Sequence, residues 1–236
     1  MPLCNVTIVT ACRDAGESGV TDFRLRVEDI NWPRANIRVC VMEGDSKDDT
    51  WEQLGEWYCD DRHRISLKRE DTGSKRFGQH TSPARFKHLS RLWNLALGMA
   101  DLEWSDYIFL VPFDVVWYPD TITELWSNNV DIVSPLTFCN GKFYDTWALV
   151  KKNGDKWEAF TEDWADENLK GQLLEMNLVG GTTLIDAKVL MSGARFTEED
   201  CDHGISMIAK TNGFRCFCDT SCWIEHPWEK PKPWAY

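Results

Sequence analysis

Residues 37–58 read IRVCVMEGDSKDDTWEQLGEWY. The opening IRVCVM (37–42) is a β-branched apolar run suited to a buried strand. EGDSKDDT then breaks it, and Ser46 with Asp49 three residues on has the form of a capping box that opens a helix. Trp51, Leu54, Trp57 and Tyr58 supply that helix with an apolar face. A strand that passes directly into a helix is the repeating unit of an α/β protein. The acidic residues Glu43, Asp45 and Asp48, with Ser46, therefore stand at the carboxyl end of a strand, where open α/β sheets bind ligands. Asp and Ser at such a turn are also ordinary helix caps.

The same alternation runs outward in both directions. VTIVTA (6–11) reads as a buried strand, and Val20, Phe23, Val27 and Ile30 recur at helical spacing. HRISLK (63–68) is a third strand, and residues 70–84 carry turn formers without periodicity, as a loop does. Phe86, Leu89, Trp93, Ala96 and Leu97 mark the next helix. Then come a strand over 106–113, a helix over 120–127, a strand over 131–136, KFYDTWALVKK (142–152) and NLVGGTTLIDAKVL (177–190). A helix near 203–212 and a strand over 214–219 follow. No repeat or linker interrupts the series. The expectation is an α/β fold in a single domain over 1–236, with a mixed, mostly parallel central sheet flanked by helices.

A hydrophobic share of 43% in 236 residues permits a sizeable core. No apolar run approaches the roughly 20 residues of a membrane span, and MPLCNVTIVT lacks the pattern of a signal peptide. A soluble, cytoplasmic protein with no membrane span is the expectation. The nine cysteines are scattered through apparent core strands, which favours reduced thiols. Cys201, His203, Cys216, Cys218, Cys222 and His226 could compose a zinc site, but C-x-C-x3-C lacks the paired C-x2-C spacing of zinc ribbons, so alternating strand cysteines are the preferred reading. The net charge of −12 argues against a general nucleic-acid binder. Residues 62–91 are locally basic, which fits a solvated face or a phosphate site.

Four features could carry chemistry: the acidic turn at 43–48, Asp114, Gly180-Gly181, and Asp202-His203 with the late His226. Asp114 interrupts the apolar YIFLVPFDVVWYPD (107–120), and a hard divalent cation needs such a carboxylate. Paired glycines allow close backbone approach. In this order the features resemble a GT-A-type glycosyltransferase, a Rossmann-like fold. Two retaining families look similar: the fungal mannan-polymerase-type and the cryptococcal capsule-associated α-mannosyltransferases. VGGTTLIDAKVLMSGARF (179–196), HGISMIAKTNGF (203–214) and RFKHLSRLWNLAL (85–97) resemble the first, and FYDTWALVKKNG (143–154) the second.

The resemblance implies roles. Glu43, Asp45 and Ser46 would contact the donor nucleotide, together with Thr10, Ala11 and Arg13 after the first strand, Arg91 and Asn94 on the basic helix, and Pro112 and Phe113. Asp114 matches the last carboxylate of an Asp-x-Asp metal motif whose first position is here Pro112, so His226 would share the Mn2+ or Mg2+. Asp145, Asp202, His203 and Asp114 are the candidate catalytic groups. Tyr144, Trp147, Gly180 and Gly181 would lie against the sugar or the acceptor. Lys75, Arg76 and Arg85 are candidate phosphate partners. Residues up to about 118 would form the nucleotide-sugar half, and those from about 119 the acceptor half.

The expected reaction is metal-dependent, retaining transfer of a hexose from a UDP- or GDP-sugar to a hydroxyl. The lack of an anchor favours a bacterial or phage version, which admits a glycan or a hydroxylated DNA base as acceptor. A sugar nucleotidyltransferase would need a glycine-rich basic loop that TACRDAGESG does not supply. A nucleotide-sugar-binding protein without turnover is the non-enzymatic alternative.

Overall fold

The computed structural model describes residues 4–74, 77, 82–156 and 169–227. Strand β1 (Val6–Cys12) pairs in parallel with β2 (Ile37–Glu43), and β2 with β3 (Ile65–Arg69). On its other side β1 pairs in parallel with β4 (Tyr107–Leu110). The later strands are β5 (Ile132–Cys139), β6 (Lys142–Phe143), β7 (Val150–Lys151), β8 (Leu173–Leu178), β9 (Thr183–Asp186) and β10 (Cys216–Glu225). All join one sheet of order β3-β2-β1-β4-β9-β5-β10-β8-β7, with β6 paired to β5. β9 runs antiparallel between β4 and β5, whereas β10 runs parallel to β5. The mixed, mostly parallel sheet read from the sequence is present.

Strand alternation explains the layers, because successive side chains face opposite sides of the sheet. Val6 and Ile8 pack with Val20, Phe23 and Val27 of α1 (Gly16–Glu28), Leu54 and Trp57 of α2 (Thr50–Asp61), and Ile122 and Leu125 of α4 (Thr121–Ser127). Val9, Cys40 and Met42 face the other side. They pack with Leu92, Ala96 and Leu97 of α3 (Pro83–Leu97) and with residues of α5 (Ala187–Met191) and α6 (Gly204–Thr211). Among the described residues no helix is long and apolar enough to cross a membrane.

Three local expectations need correction. The strand expected over 106–113 ends at Leu110, since Pro112 has no N–H to continue the ladder. Val115 N donates to the Pro112 carbonyl (3.2 Å), so Asp114 lies in a turn and is half exposed rather than buried. Ser46 does not cap α2, which starts at Thr50: its hydroxyl accepts from Asp14 N–H (2.9 Å) instead. The last strand runs on to Glu225, with an irregularity between Asp219 and Trp223.

Candidate active site

A cleft of about 560 Å³ opens at the carboxyl ends of β1 and β4, within the range of small-molecule pockets, about 300–1,000 Å³. Ala11 lies near the end of β1 and Arg13 just after it; Pro112, Phe113 and Asp114 follow β4; Arg85 and Trp93 come from α3. Gly181 and Asp202 close the far side. β9 reaches the cleft because it runs antiparallel to β4, which puts the Gly180-Gly181 turn before it at the same sheet edge as the carboxyl end of β4.

The two turns after β1 and β2 are locked together. Asp14, with left-handed φ of 51°, accepts from Lys47 N–H (2.7 Å), and Gly16 N–H donates to Thr50 Oγ1 (2.9 Å). Glu43 is fully buried: Oε1 accepts from Ser46 N–H (2.8 Å), and Oε2 stands 3.1 Å from Arg69 Nε without hydrogen-bond alignment. Asp45 accepts from Thr72 Oγ1 (2.6 Å), Gly73 N–H (2.7 Å) and Ser74 Oγ (2.8 Å). Burial would raise its pKa, but these donors outweigh it and hold the carboxyl down to about 2. Arg13 then donates to the Ser74 carbonyl (3.0 Å). Of the expected donor contacts, Ala11 and Arg13 face the cleft, while Glu43, Asp45 and Ser46 are engaged in building its rim. Thr10 is wholly buried, its Oγ1 without a partner among the described residues.

His226 Nε2 faces Asp114 Oδ2 across 3.7 Å. Its Nδ1 lies 3.0 Å from the Pro227 carbonyl, an atom that can only accept, so in the neutral ring the proton belongs on Nδ1 and Nε2 presents a lone pair. Tyr144 stacks on the imidazole (4.6 Å between centroids) and fixes its plane. Two acceptors thus face one another, an arrangement favourable when a cation or proton lies between them.

Behind this pair the chain packs closely. A side chain at Gly180 would strike the Asp202 carbonyl, and Gly181 has φ +61° with space for a Cβ only 2.8 Å from Asp145 Oδ2. Burial first, then the charge of Asp202, raises the Asp145 pKa to about 6, against a hydrogen bond from Thr137 Oγ1 (3.2 Å). His203 is buried beneath the loop, Nδ1 to Asp200 Oδ2 at 2.9 Å, and does not line the cleft. Trp147 is exposed, with Lys156 Nζ 5.3 Å from its ring centre. Asn94 holds the Phe196 backbone, and Arg91 pairs with Glu70. Lys75 and Arg76 lie outside the described residues.

The model of the N-terminal domain of glycosyltransferase family 25 matches residues 3–192. The chain belongs to glycosyltransferase family 25. Similar relatives are procollagen galactosyltransferase 1 of Danio rerio, 25% identical over 157 residues (63% of this chain, 26% of that protein), and procollagen galactosyltransferase 2 of Homo sapiens, 25% over 163 residues (65% and 26%). The chain spans about a quarter of the length of these curated relatives. Among solved structures it resembles the mannosyltransferase PcManGT of Pyrobaculum calidifontis in complex with GDP-Man and Mn2+: TM-score 0.63, 15% identity, 97% of this chain and 58% of that one. S. aureus TarS in complex with UDP-GlcNAc gives TM-score 0.61 at 15% identity, over 97% and 60%. These neighbours show the GT-A fold. The glycosyltransferase resemblance therefore holds, but the family is family 25 rather than either α-mannosyltransferase family.

Within this family 25 domain, Arg26 and Asp22 also line the cleft, and sequence reading missed both. The Arg26 guanidinium donates to the Phe113 carbonyl (3.3 Å) and lies 5.2 Å from the Trp117 ring. Burial lowers its pKa, opposed by Asp22 and Asp114. Its signal was an Asp–Arg pair at i, i+4 on the polar side of α1. Among the described residues no three His, Cys, Asp or Glu side chains gather as a metal cage. Asp114 and His226 still fit a divalent cation, since such ions in phosphate sites take one or two protein donors and complete the shell with phosphate oxygens and water. Cys216, Cys218 and Cys222 are buried thiols of β10, and burial pushes their pKa values up.

Proposed function

We propose that this domain transfers a hexose from a nucleotide-diphospho-sugar to an acceptor hydroxyl, with residues up to about 118 holding the donor and the remainder the acceptor. The carrying observation is the Asp114–His226 pair of facing acceptors at the mouth of a cleft lined by Arg13, Arg26 and Arg85. UDP and GDP donors are supported by the ligands of the structural neighbours, and galactose by the names of the relatives. Asp114 and His226 would hold Mn2+ or Mg2+, which when bound supplies positive charge to the leaving diphosphate.

The three arginines add fixed charge along the cleft, so the electron pair of the breaking anomeric C–O bond leaves on a neutralised diphosphate. Asp202 lines the cleft and takes the proton of the attacking hydroxyl, with the buried Asp145 carboxyl close enough to feel its charge. The retaining outcome rested on the α-mannosyltransferase likeness; a carboxylate base on the acceptor side favours single displacement with inversion. A glycan acceptor is favoured over DNA because several basic residues described in the 62–91 segment already have carboxylate partners: Arg64 pairs with Glu28 and Asp61, Arg69 with Asp71, Lys87 with Glu198, and Arg91 with Glu70. The buried thiols support a reducing, cytoplasmic setting.

The test incubates the protein with UDP-galactose, UDP-glucose, UDP-GlcNAc and GDP-mannose and Mn2+, with and without EDTA, and measures released nucleoside diphosphate. Release that EDTA suppresses and Asp114→Asn abolishes is expected. Donor binding without release from any donor, with candidate acceptors present, would leave only the binding-protein reading standing. Proton NMR of the product reads the anomeric configuration.

A further inference from the structure

Val116 and Glu225 exchange both backbone hydrogen bonds (2.8 and 2.9 Å), which makes a short antiparallel ribbon beginning at the cleft wall. Alternation then sends every second side chain to the same face. Trp117 and Ile224 turn inward and are buried, at 3% and 0% exposure. Tyr118 and Trp223 turn outward and are exposed, at 37% and 45%. Their rings meet edge to face, 4.7 Å apart and at 62°. The Glu225 carboxylate lies close enough to the Tyr118 hydroxyl to add to the upward shift that burial gives it, and buried Phe138 meets Trp223 edge to face, 6.4 Å between ring centroids. A fixed aromatic corner with a carboxylate beside it thus stands about 7 Å, two strand residues, from the cleft wall.

We propose that Tyr118, Trp223 and Glu225 form a carbohydrate subsite that holds one pyranose ring of a glycan acceptor. The proposal rests on the transferase reading above and deepens it by naming the acceptor class. The polarised C–H face of a pyranose packs on the electron-rich face of an aromatic ring as apolar surface, and Glu225 can accept from the ring's hydroxyls. Nucleic-acid bases also stack on such rings, but Glu225 would repel the attached phosphates, and the net charge of −12 adds to that repulsion. A neutral polyhydroxylated ligand fits the charge. Binding energy gathered here, away from the reacting hydroxyl, would orient the acceptor for transfer.

The test is saturation-transfer NMR of the full chain with lactose, cellobiose and maltose, with a polyproline decamer and an oligothymidylate as controls. Signal from at least one disaccharide is expected, lost in Trp223→Ala and reduced in Tyr118→Phe, while UDP binding and donor hydrolysis match the parent protein. Where a disaccharide accepts the sugar, its KM should rise about tenfold or more in Trp223→Ala with kcat little changed. No saccharide signal from the folded parent chain overturns the subsite. So does an equal signal in Trp223→Ala, or binding at this surface by the decamer or the oligonucleotide alone. Absent donor hydrolysis in the parent protein would instead sink the transferase reading, and the saccharide titration would still be scored by itself.

Discussion

Both ends of the Asn94 side chain are used by one residue's backbone: Nδ2 donates to the Phe196 carbonyl (2.9 Å), and Oδ1 accepts the Phe196 N–H (3.1 Å). A helix residue thereby fixes the start of the segment that carries Asp202. Asn94→Ala should cost about 1–3 kcal/mol, since two backbone groups lose their partner. Turnover should fall further than stability, because Trp93 and Phe196 (5.5 Å between rings) both line the cleft. Thermal unfolding alongside kcat checks this; a stability loss with unchanged turnover would confine Asn94 to scaffolding.

Asp45 ties the turn after β2 to residues 72–74. Its folded pKa of about 2 lies below that of an unfolded aspartate, so its contribution is present above the unfolded value and is lost as pH falls through the folded one. Asp45→Asn should cost about 1–2 kcal/mol at neutral pH, and the difference from the parent protein should vanish between about pH 4 and 2. Urea titrations across that range measure it.

The Asp145 carboxyl is raised to about 6 by burial and by Asp202. The native state therefore holds its proton more tightly than the unfolded chain, and stability attributable to this group declines as pH rises from about 4 to 6. Transfer rate should climb across the same interval and level off above it. Asp145→Asn should remove the inflection near 6 and lower kcat about tenfold or more, read from a pH–rate profile of both proteins.

A methyl group at Gly181 would meet Asp145 Oδ2 at 2.8 Å on a residue whose φ is +61°. Gly181→Ala should destabilise by about 1 kcal/mol, yet reduce transfer far more than donor binding. An unchanged acceptor KM and kcat in this variant would detach the glycine turn from the site.

Arg26→Met keeps much of the packing beside Trp117 and removes the charge. Affinity for nucleoside diphosphate should fall about tenfold, with little change for the nucleoside. Calorimetric titration of the two ligands separates the effects.

The strands and helices were legible because their apolar periods are strong: Val6 to Val9 and Val39 to Met42 are buried on both faces, and Val20, Phe23 and Val27 mark one side of α1. Cleft-lining residues were legible where they follow a strand, as Asp114 and Arg13 do. Glu43 and Asp45 were placed correctly along the chain, but their partners lie 26 to 29 residues away for Asp45, in loops whose path has no periodic signal. Pro112 announced the end of β4 through its missing N–H. Arg26 was hidden because the apolar side of α1 attracts attention, while the polar side is the one that meets the cleft.

The reversed strand β9 divides the molecule's tolerance for change as well as its architecture. Reversal brings the glycine turn to one rim of the sheet and sends Asp186, beside Tyr107 in the ladder and with its N–H on the Asp131 carbonyl, to the other. Exposed positions on that second rim, such as Glu103 and Asn129, can carry a label without approaching the cleft. A fluorescent probe or surface tether belongs there, where the enzyme would not notice its attachment.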